Sequence, residues 1–346
     1  MGSLTFVGLG LGPKGVSLEG LVELRTADEV FLEYYTTPHD PALVGELERQ
    51  SGRHLTIVDR AFVEDGRSLL AAAKSRKVVL AVPGDPMIAT THAELRVRAI
   101  RAGIEARVVH GVTIASAAAS ASGLHSYKFS RTVTITRESV KRLSQAYQIL
   151  HENLLEGAHT LLLLEFDVER GEGVTPNEAI RGLLAAEADF KRAVVSTSCF
   201  ALVLSRVGRV DASSRAGTLA ELEGFDYLQP PHSVIIPGKL HFTEVESIAA
   251  IFSLDAAKIH GNSESVKRTA ETLVPRYVEK TKKALASVRS KLGPEYDSVV
   301  ENAELYIKDA ESFLLKGDDE LAMLSVGYAE GLLDSLNFAG VVKIDW

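Results

Sequence analysis

The amino-acid sequence predicts an α/β protein of two domains, followed by an all-α tail. Short apolar runs alternate with amphipathic segments over about the first 250 residues, which is typical of strands joined by helices. Beyond about residue 254 the strand signal stops and only helical periodicity continues. A length of 346 residues suits two or three domains, and we place them at residues 1–112, 113–255 and 256–346.

The first domain is expected to contain a mostly parallel sheet that is covered on both faces by helices. Its predicted strands are residues 4–7, 29–32, 55–58, 78–82 and 107–109. Its predicted helices are residues 17–26, 42–51 and 91–103. Regular alternation of strand and helix favours parallel strands, because each crossover helix returns the chain to the same edge of the sheet.

The second domain is predicted to be α/β as well, with more antiparallel character. It begins with a helix over residues 113–122, whose Ala and Ser side chains allow close packing. Its predicted strands are residues 132–136, 160–166, 193–195, 201–205 and 233–237. Its other predicted helices are residues 137–155 and 176–188.

The tail is predicted to be a separate unit of three helices. Helical periodicity covers residues 263–290, 295–315 and 319–336, and no strand pattern interrupts it. The pairs Gly293-Pro294 and Gly317-Asp318 separate the helices, as turn residues do. Residues 260–263 are expected to supply a linker and the N-cap of the first tail helix.

Charge and cysteine content limit the class of protein. The formal net charge is −8, which gives no general attraction to nucleic acid. The single cysteine, Cys199, cannot form an internal disulfide and suits a reducing compartment. The N-terminus lacks a signal-peptide pattern, and no apolar run approaches the ~18 residues of a membrane span. These observations predict a soluble, cytoplasmic protein without a membrane or nucleic-acid partner.

Two loops that follow predicted strands are candidate ligand contacts. The first is Gly8-Leu9-Gly10-Leu11-Gly12, whose G-x-G-x-G spacing is neither the dinucleotide fingerprint nor a P-loop. The second is Pro83-Gly84-Asp85-Pro86, in which Asp85 offers a carboxylate to a positively charged ligand. Loops at the carboxyl ends of strands line the crevice of open α/β sheets. Ordinary tight turns are the alternative interpretation of both loops.

Two further segments are candidate parts of the same cleft. Thr113 precedes the Ala/Ser helix, where it can cap the helix and also face a ligand carboxylate. His232 lies between Pro231 and an apolar strand, although a lone histidine at such a junction is more often structural. The sequence contains no His-Glu-x-x-His spacing, no cysteine pair and no Gly-x-Ser-x-Gly elbow, so we expect neither a metal site nor a hydrolytic triad. No catalytic base can be named.

In combination and in order, these segments resemble the tetrapyrrole methylase family of S-adenosylmethionine-dependent methyltransferases. The similarity covers about residues 3–250. The strings that carry it are residues 33–36, 83–86, 89–96, 123–129, 175–179 and 231–240. Residues 90–95 and 123–129 resemble the branch that acts in diphthamide biosynthesis rather than the cobalamin and sirohaem branches. The resemblance implies two α/β domains with the cofactor in the cleft between them.

The resemblance also implies a reaction, a cofactor and a set of contacts. The branch methylates the aminocarboxypropyl-modified histidine of translation elongation factor 2 to give diphthine, leaving S-adenosylhomocysteine, and its members are homodimers. The implied cofactor contacts are Leu11, Asp85, Ile88, Thr113, Ile114, Leu164, Val207 and His232. The tail resembles a small archaeal helical domain of unknown function, through Tyr306, Asp309, Ala310 and residues 328–334. Such a fusion points to an archaeal source.

Two alternatives share the same loops. One is a methyltransferase that acts on a tetrapyrrole of the corrinoid or sirohaem type. The other is a catalytically silent adaptor that binds S-adenosylmethionine and acts through its helical tail. The strings at residues 89–96 and 123–129 oppose the first alternative, and the intact loops oppose the second.

Overall fold

The first five strands form one parallel sheet in the computed structural model, which describes residues 2–38 and 42–344. The strands are β1 (Ser3–Gly8), β2 (Glu29–Glu33), β3 (Leu55–Val58), β4 (Lys77–Val82) and β5 (Glu105–Val109), in the order β3-β2-β4-β1-β5. The helices between them are α1 (Leu18–Thr26), α2 (Ala42–Ser51), α3 (Arg60–Asp65), α4 (Arg67–Ala73) and α5 (His92–Arg101). The parallel sheet expected from the sequence is therefore confirmed.

Both faces of this sheet are buried because alternate side chains of each strand point to opposite sides. In β4, Val78, Leu80 and Val82 pack on one face, together with apolar residues of α3, α4 and α5. Val79 and Ala81 pack on the other face, together with residues of α1 and α2. The pattern explains why the buried strands are nearly continuous apolar runs.

A second five-stranded sheet follows, in the order β11-β10-β12-β7-β6. Its elements are α6 (Ile114–Ser122), β6 (Val133–Ile135), α7 (Ser144–Leu155), β7 (Thr160–Leu164), the short pair β8 (Phe166–Asp167) and β9 (Glu172–Gly173), α8 (Pro176–Phe190), β10 (Phe200–Ser205), β11 (Ser213–Thr218), α9 (Leu219–Glu223), β12 (His232–Ile236) and α10 (Phe242–Phe252). Within this sheet β6 and β7 are parallel, and the other neighbours are antiparallel.

Two predicted elements of this region are wrong. Residues 193–195 are not a strand, because the Glu187 carboxylate accepts hydrogen bonds from the backbone N–H groups of Ala193, Val194 and Val195. The helix predicted over residues 137–155 begins only at Ser144. The preceding residues form a turn, in which the side chains of Thr136 and Ser139 bind each other's backbone N–H groups.

The chain divides into two compact units, Met1–Ser265 and Val266–Trp346. As far as residue 344, the second unit contains three α-helices, α11 (Thr269–Arg289), α12 (Asp297–Lys316) and α13 (Asp319–Phe338), around an apolar core of its own. Within the described ranges, every helix is too short or too polar to cross a lipid bilayer.

The predicted start of the first tail helix is also wrong, because this helix begins at Thr269 and not near residue 263. Asn262 does not cap that helix. Its buried side-chain amide instead pairs with the backbone N–H and carbonyl of Phe200 and donates to the carbonyl oxygen of Pro237. Asn262 thus ties the end of the first unit to β10.

Candidate functional site

A cavity of about 570 Å³ opens at the carboxyl ends of the strands of the first sheet and extends to residues of the second sheet. All eight residues that the family resemblance implies line it: Leu11, Asp85, Ile88, Thr113, Ile114, Leu164, Val207 and His232. They come from seven separate stretches of chain, since only Thr113 and Ile114 are adjacent. Leu11, Asp85, Ile88, Thr113 and Ile114 lie together because β1, β4 and β5 are neighbours in the first sheet. The other three residues come from the second sheet.

The loops that follow β1 and β4 are held together by their backbones. Gly10 N–H donates to the Gly84 carbonyl oxygen at 3.1 Å, and Gly84 N–H donates to the Gly10 carbonyl oxygen at 2.8 Å. Both glycines have positive φ, 71° for Gly10 and 68° for Gly84, which residues with a Cβ rarely adopt. Gly10 and Gly84 therefore allow the backbone conformation that forms this part of the cavity wall.

The loop that follows β5 packs against this pair with no room for a side chain. A Cβ on Gly111 would lie 2.2 Å from the Gly84 carbonyl oxygen, and a Cβ on Gly8 would lie 2.5 Å from the Gly111 nitrogen. Backbone atoms that are fixed by hydrogen bonds cannot give way cheaply. Glycine at these two positions is required by close approach of the backbones.

The glycine loop also meets the loop that follows β10 of the second sheet. A Cβ on Gly12 would lie 2.3 Å from the carbonyl oxygen of Gly208. A Cβ on Gly208 would in turn lie 2.6 Å from the Cβ of Leu11. This contact closes one side of the cavity and places Leu11 near Val207, the residue before Gly208.

Asp85 is 5% exposed, and its carboxylate is engaged by the protein itself. Oδ1 accepts from the backbone N–H of Met87 at 2.8 Å. Oδ2 accepts from the backbone N–H of Gly111 at 3.2 Å and lies 2.8 Å from His110 Nδ1. The carboxylate therefore connects the loop after β4 with the loop after β5, and it shapes the cavity in addition to bringing charge to it.

Thr113 is the N-cap of α6, as the sequence predicts. Its Oγ1 accepts from the backbone N–H of Ala115 at 3.5 Å. The first turn of a helix presents N–H groups without helical partners and favours negative charge. The cavity thus has a backbone donor face at Thr113 and Ile114.

The imidazole of His232 is buried, and both of its nitrogens are engaged. Nε2 lies 3.2 Å from the carbonyl oxygen of Leu228, which can only accept, so Nε2 carries the proton. Nδ1 then accepts from the Ser205 hydroxyl at 2.8 Å. Burial lowers the pKa of His232 to about 4; the hydrogen bond to Leu228 opposes this effect and the Arg206 cation adds to it. His232 is neutral at pH 7 and is not a free base.

Other lining residues were not among the predicted contacts, notably Tyr35, Thr36, Arg60 and His92. Tyr35 and Thr36 follow β2, Arg60 follows β3, and His92 begins α5. The strands β2 and β3 lie at the side of the sheet opposite β5. Residues 33–36 and 89–96 carry the family resemblance, but no pattern in them indicates a ligand contact. Arg60 had no signal of its own, since an arginine after a strand is common on protein surfaces.

A buried polar cluster lies behind this part of the wall. Glu33 and His92 are both almost fully buried, with Glu33 Oε2 3.3 Å from His92 Nε2. The same Nε2 lies 3.5 Å from the Tyr35 hydroxyl, and His92 Nδ1 lies 3.1 Å from the carbonyl oxygen of Pro86. Burial raises the pKa of the Tyr35 phenol, and the negative charge of Glu33 raises it further, so the phenol stays protonated. Among the described residues, no cluster of side chains could hold a metal ion.

Comparisons with known proteins agree on one family. Residues 3–223 match the family model of tetrapyrrole (corrin/porphyrin) methylases, and residues 276–342 match that of a protein of unknown function (DUF357). Diphthine synthase of Methanothermobacter thermautotrophicus is 36% identical over 250 residues, covering 72% of this chain and 95% of that protein. Diphthine synthase of Methanocella arvoryzae is 36% identical over 255 residues, covering 72% and 98%.

The structural comparison gives the same result. The chain is similar to a crystal structure of diphthine synthase with a TM-score of 0.65 and 32% sequence identity. The alignment covers 76% of this chain and 99% of that one. These proteins therefore match the α/β part of the chain over nearly their whole length.

Proposed function

The chain belongs to the tetrapyrrole methylase family, and from this premise we propose that it methylates the aminocarboxypropyl-modified histidine of translation elongation factor 2. The product is diphthine, in the biosynthesis of diphthamide. The observation that carries the proposal is the 36% identity to diphthine synthases over nearly their full length. Because translation takes place in the cytoplasm, we propose that the enzyme acts there, as a homodimer.

The cavity suits S-adenosylmethionine as the methyl donor. Its volume of about 570 Å³ lies within the usual ~300–1,000 Å³ of small-molecule sites. Leu11, Ile88, Ile114, Leu164 and Val207 offer apolar walls. The peptide groups of the close-packed glycine loops and the N-terminus of α6 offer hydrogen bonds to the polar ends of a ligand. When bound, S-adenosylmethionine supplies a methyl group on a positively charged sulfur.

The residues of the chain have two tasks in such a transfer. They must hold the acceptor amine in line with the methyl group, and they must keep water out. The acceptor must also be neutral, because an ammonium group has no lone pair. His232 cannot take that proton, since its Nδ1 accepts from Ser205 and its Nε2 donates to Leu228.

The proposed function is tested with labelled S-adenosylmethionine and elongation factor 2 that carries the aminocarboxypropyl group but no methyl groups. We expect label on the factor, and mass spectrometry should locate one or more methyl groups on the modified histidine. A factor that lacks the aminocarboxypropyl group is the control and should stay unlabelled. Transfer to a porphyrinoid instead would indicate a tetrapyrrole methyltransferase. Donor binding without any transfer would indicate an adaptor.

A further inference from the structure

The cavity has a second end that the proposed cofactor contacts leave unassigned. On the first sheet, those contacts follow β1, β4 and β5, on one side of the strand order β3-β2-β4-β1-β5. On the first sheet, the remaining wall follows β2 and β3 and includes the start of α5, and the second-sheet side adds further residues such as Glu165 and Arg209. In a transfer between two ligands in one cavity, the acceptor must lie next to the donor. The β2–β3 end offers such a space on the first sheet.

We propose that this end of the cavity is an acceptor subsite for an α-amino acid group, with Arg60 binding its carboxylate and Tyr35 and His92 receiving its amine. The proposal rests on the proposed function, because the aminocarboxypropyl group carries both an amine and a carboxylate. It adds the residues that recognise the two groups. All three residues line the cavity.

Arg60 has the position and the freedom to bind an anion. It is the first residue of α3, which is capped by the Asp59 side chain through the Phe62 N–H at 2.8 Å. Its guanidinium carbon lies 5.1 Å from the centre of the Tyr35 ring. Its ion pair with Glu64, at 3.6 Å, is long and joins two half-exposed side chains. Such a pair contributes little, whereas a carboxylate can bind the guanidinium through two hydrogen bonds.

The hydrogen bond to Pro86 decides which nitrogen of His92 carries the proton when the ring is neutral. The Pro86 carbonyl oxygen can only accept, so His92 Nδ1 carries a proton and donates it at 3.1 Å. In the neutral ring, Nε2 then has a lone pair, which faces the Tyr35 hydroxyl at 3.5 Å. The phenol donates to Nε2 and presents its own oxygen lone pair as an acceptor for an N–H group in the cavity.

This arrangement gives the proton of the acceptor ammonium a route. The ammonium proton passes to the Tyr35 oxygen as the phenol proton passes to His92 Nε2. The resulting imidazolium is stabilised by the Glu33 carboxylate at 3.3 Å. The amine lone pair then forms the new N–C bond while the bond between methyl carbon and sulfur breaks. One proton has moved from the amine to His92, and the charge balance is complete.

Replacing Arg60 tests the carboxylate contact in the full chain. For Arg60→Gln we expect the KM for the modified elongation factor to rise at least about tenfold, with the Kd for S-adenosylhomocysteine unchanged by calorimetry. Arg60→Lys, which keeps the charge, should recover part of the loss. Arg67→Gln is the matched control, because Arg67 is 84% exposed in its side chain and does not line the cavity. An unchanged KM in Arg60→Gln overturns this contact.

Tyr35→Phe and His92→Gln test the amine contact through kcat. We expect Tyr35→Phe to lower kcat at least about tenfold at unchanged cofactor Kd, because the ring remains and only the hydroxyl is lost. If the two groups act as one relay, the double variant loses no more activity than the more damaged single variant. Losses that multiply, or a Tyr35→Phe enzyme with full kcat, overturn the relay.

The outcomes separate this subsite from the proposed function. If the wild-type enzyme transfers no methyl group to the modified factor, the proposed function fails and the subsite fails with it. If the wild-type enzyme is active and both Arg60→Gln and Tyr35→Phe retain its kinetic constants, the subsite alone is wrong.

Discussion

At the scale of single residues, Glu244 shows how one buried carboxylate connects several segments that surround the second sheet. It accepts from the backbone N–H groups of His125 and His241, each at 2.8 Å. It also binds Lys128 Nζ at 2.5 Å and His159 Nε2 at 2.9 Å. Nδ1 of His159 accepts from Gly238 N–H, so the neutral ring donates to Glu244 through Nε2. One side chain thereby anchors the string 123–129 to the start of α10.

This network predicts a pH dependence of stability. Burial alone would raise the pKa of Glu244, but the hydrogen bonds from His241, Lys128, His125 and His159 outweigh it and hold the pKa at about 2. Relative to the ~4.3 of an unfolded glutamate, the difference amounts to about 3 kcal/mol. The contribution is complete above about pH 4.3 and is lost as the pH falls towards 2.

Glu244→Gln should therefore lower the free energy of unfolding by about 3 kcal/mol at pH 7, measured by urea denaturation. The variant should also lose less stability than the wild type between pH 4.3 and 2. Glu105→Gln is the control, because Glu105 is exposed at the start of β5 and should behave as the wild type. Equal acid sensitivity of Glu244→Gln and the wild type would contradict the assignment.

The sequence predicted positions at this scale better than it predicted what each side chain does. Leu11, Asp85, Thr113 and His232 all line one cavity, and their contacts to a cofactor stay a prediction. The sequence did not predict that the Asp85 carboxylate has three hydrogen-bond partners within the protein, or that the His232 imidazole has two. Those bonds depend on how separate loops meet in space, which a local pattern does not contain.

At the scale of elements, the site is formed by three loops whose backbones contact one another directly. The loops after β1, β4 and β5 pack through Gly8, Gly84 and Gly111 without intervening side chains. Loops that are mutually fixed in this way need little reorganisation when a ligand binds, which favours affinity. The rigidity of the cleft is therefore a property of the three loops together.

Gly111→Ala tests this packing. The new Cβ would lie 2.2 Å from the Gly84 carbonyl oxygen, so the loops must separate. We expect a loss of about 1–3 kcal/mol in unfolding free energy, typical of overpacking, and at least about tenfold weaker binding of S-adenosylhomocysteine by calorimetry. Gly45→Ala is the matched control: its Cβ would meet nothing within 4 Å, and alanine in a helix should stabilise α2 by up to about 1 kcal/mol. Unchanged ligand affinity in Gly111→Ala would show that the loops are free to move apart.

Elements were predictable where an apolar pattern determined them. All five strands of the first sheet were predicted: β1, β2 and β4 are largely buried and form nearly continuous apolar runs, and the more exposed edge strands β3 and β5 each still end in an apolar pair. The strand β11 was missed, because its sequence Ser213–Thr218 is polar and it lies at the edge of its sheet. Residues 193–195 have strand-like composition, but they do not form a strand. Their backbone N–H groups donate hydrogen bonds to the Glu187 carboxylate instead of to a neighbouring strand.

At the scale of the whole molecule, the catalytic part and the tail are separate compact units. Every residue that lines the cavity belongs to Met1–Ser265. The aligned diphthine synthases are covered to 95–98% of their length by 72% of this chain. The helical unit from Val266 has a core of its own. We propose that the domains predicted at residues 1–112 and 113–255 work together as the enzyme.

Removing the tail tests that proposal. A chain ending at Ser265 should fold, bind S-adenosylhomocysteine and methylate the modified factor with a kcat/KM within about threefold of the full chain. A chain ending at Ser253 is the comparison, because it lacks Asn262 and its bonds to Phe200 and Pro237, and it should be less stable in thermal unfolding. Loss of methyl transfer in the chain ending at Ser265 would assign the tail a part in the reaction.

The central position of β1 has a consequence for how the protein is made. Its two neighbours, β4 and β5, begin at Lys77 and Glu105, far along the chain from Ser3. At roughly 5–20 residues per second, a ribosome delivers β4 about 4–15 seconds after β1. During that interval an apolar strand with unpaired edges is exposed in the nascent chain, which is a hazard for aggregation. β1 is thus made before both of its neighbouring strands and stays unpaired until they follow.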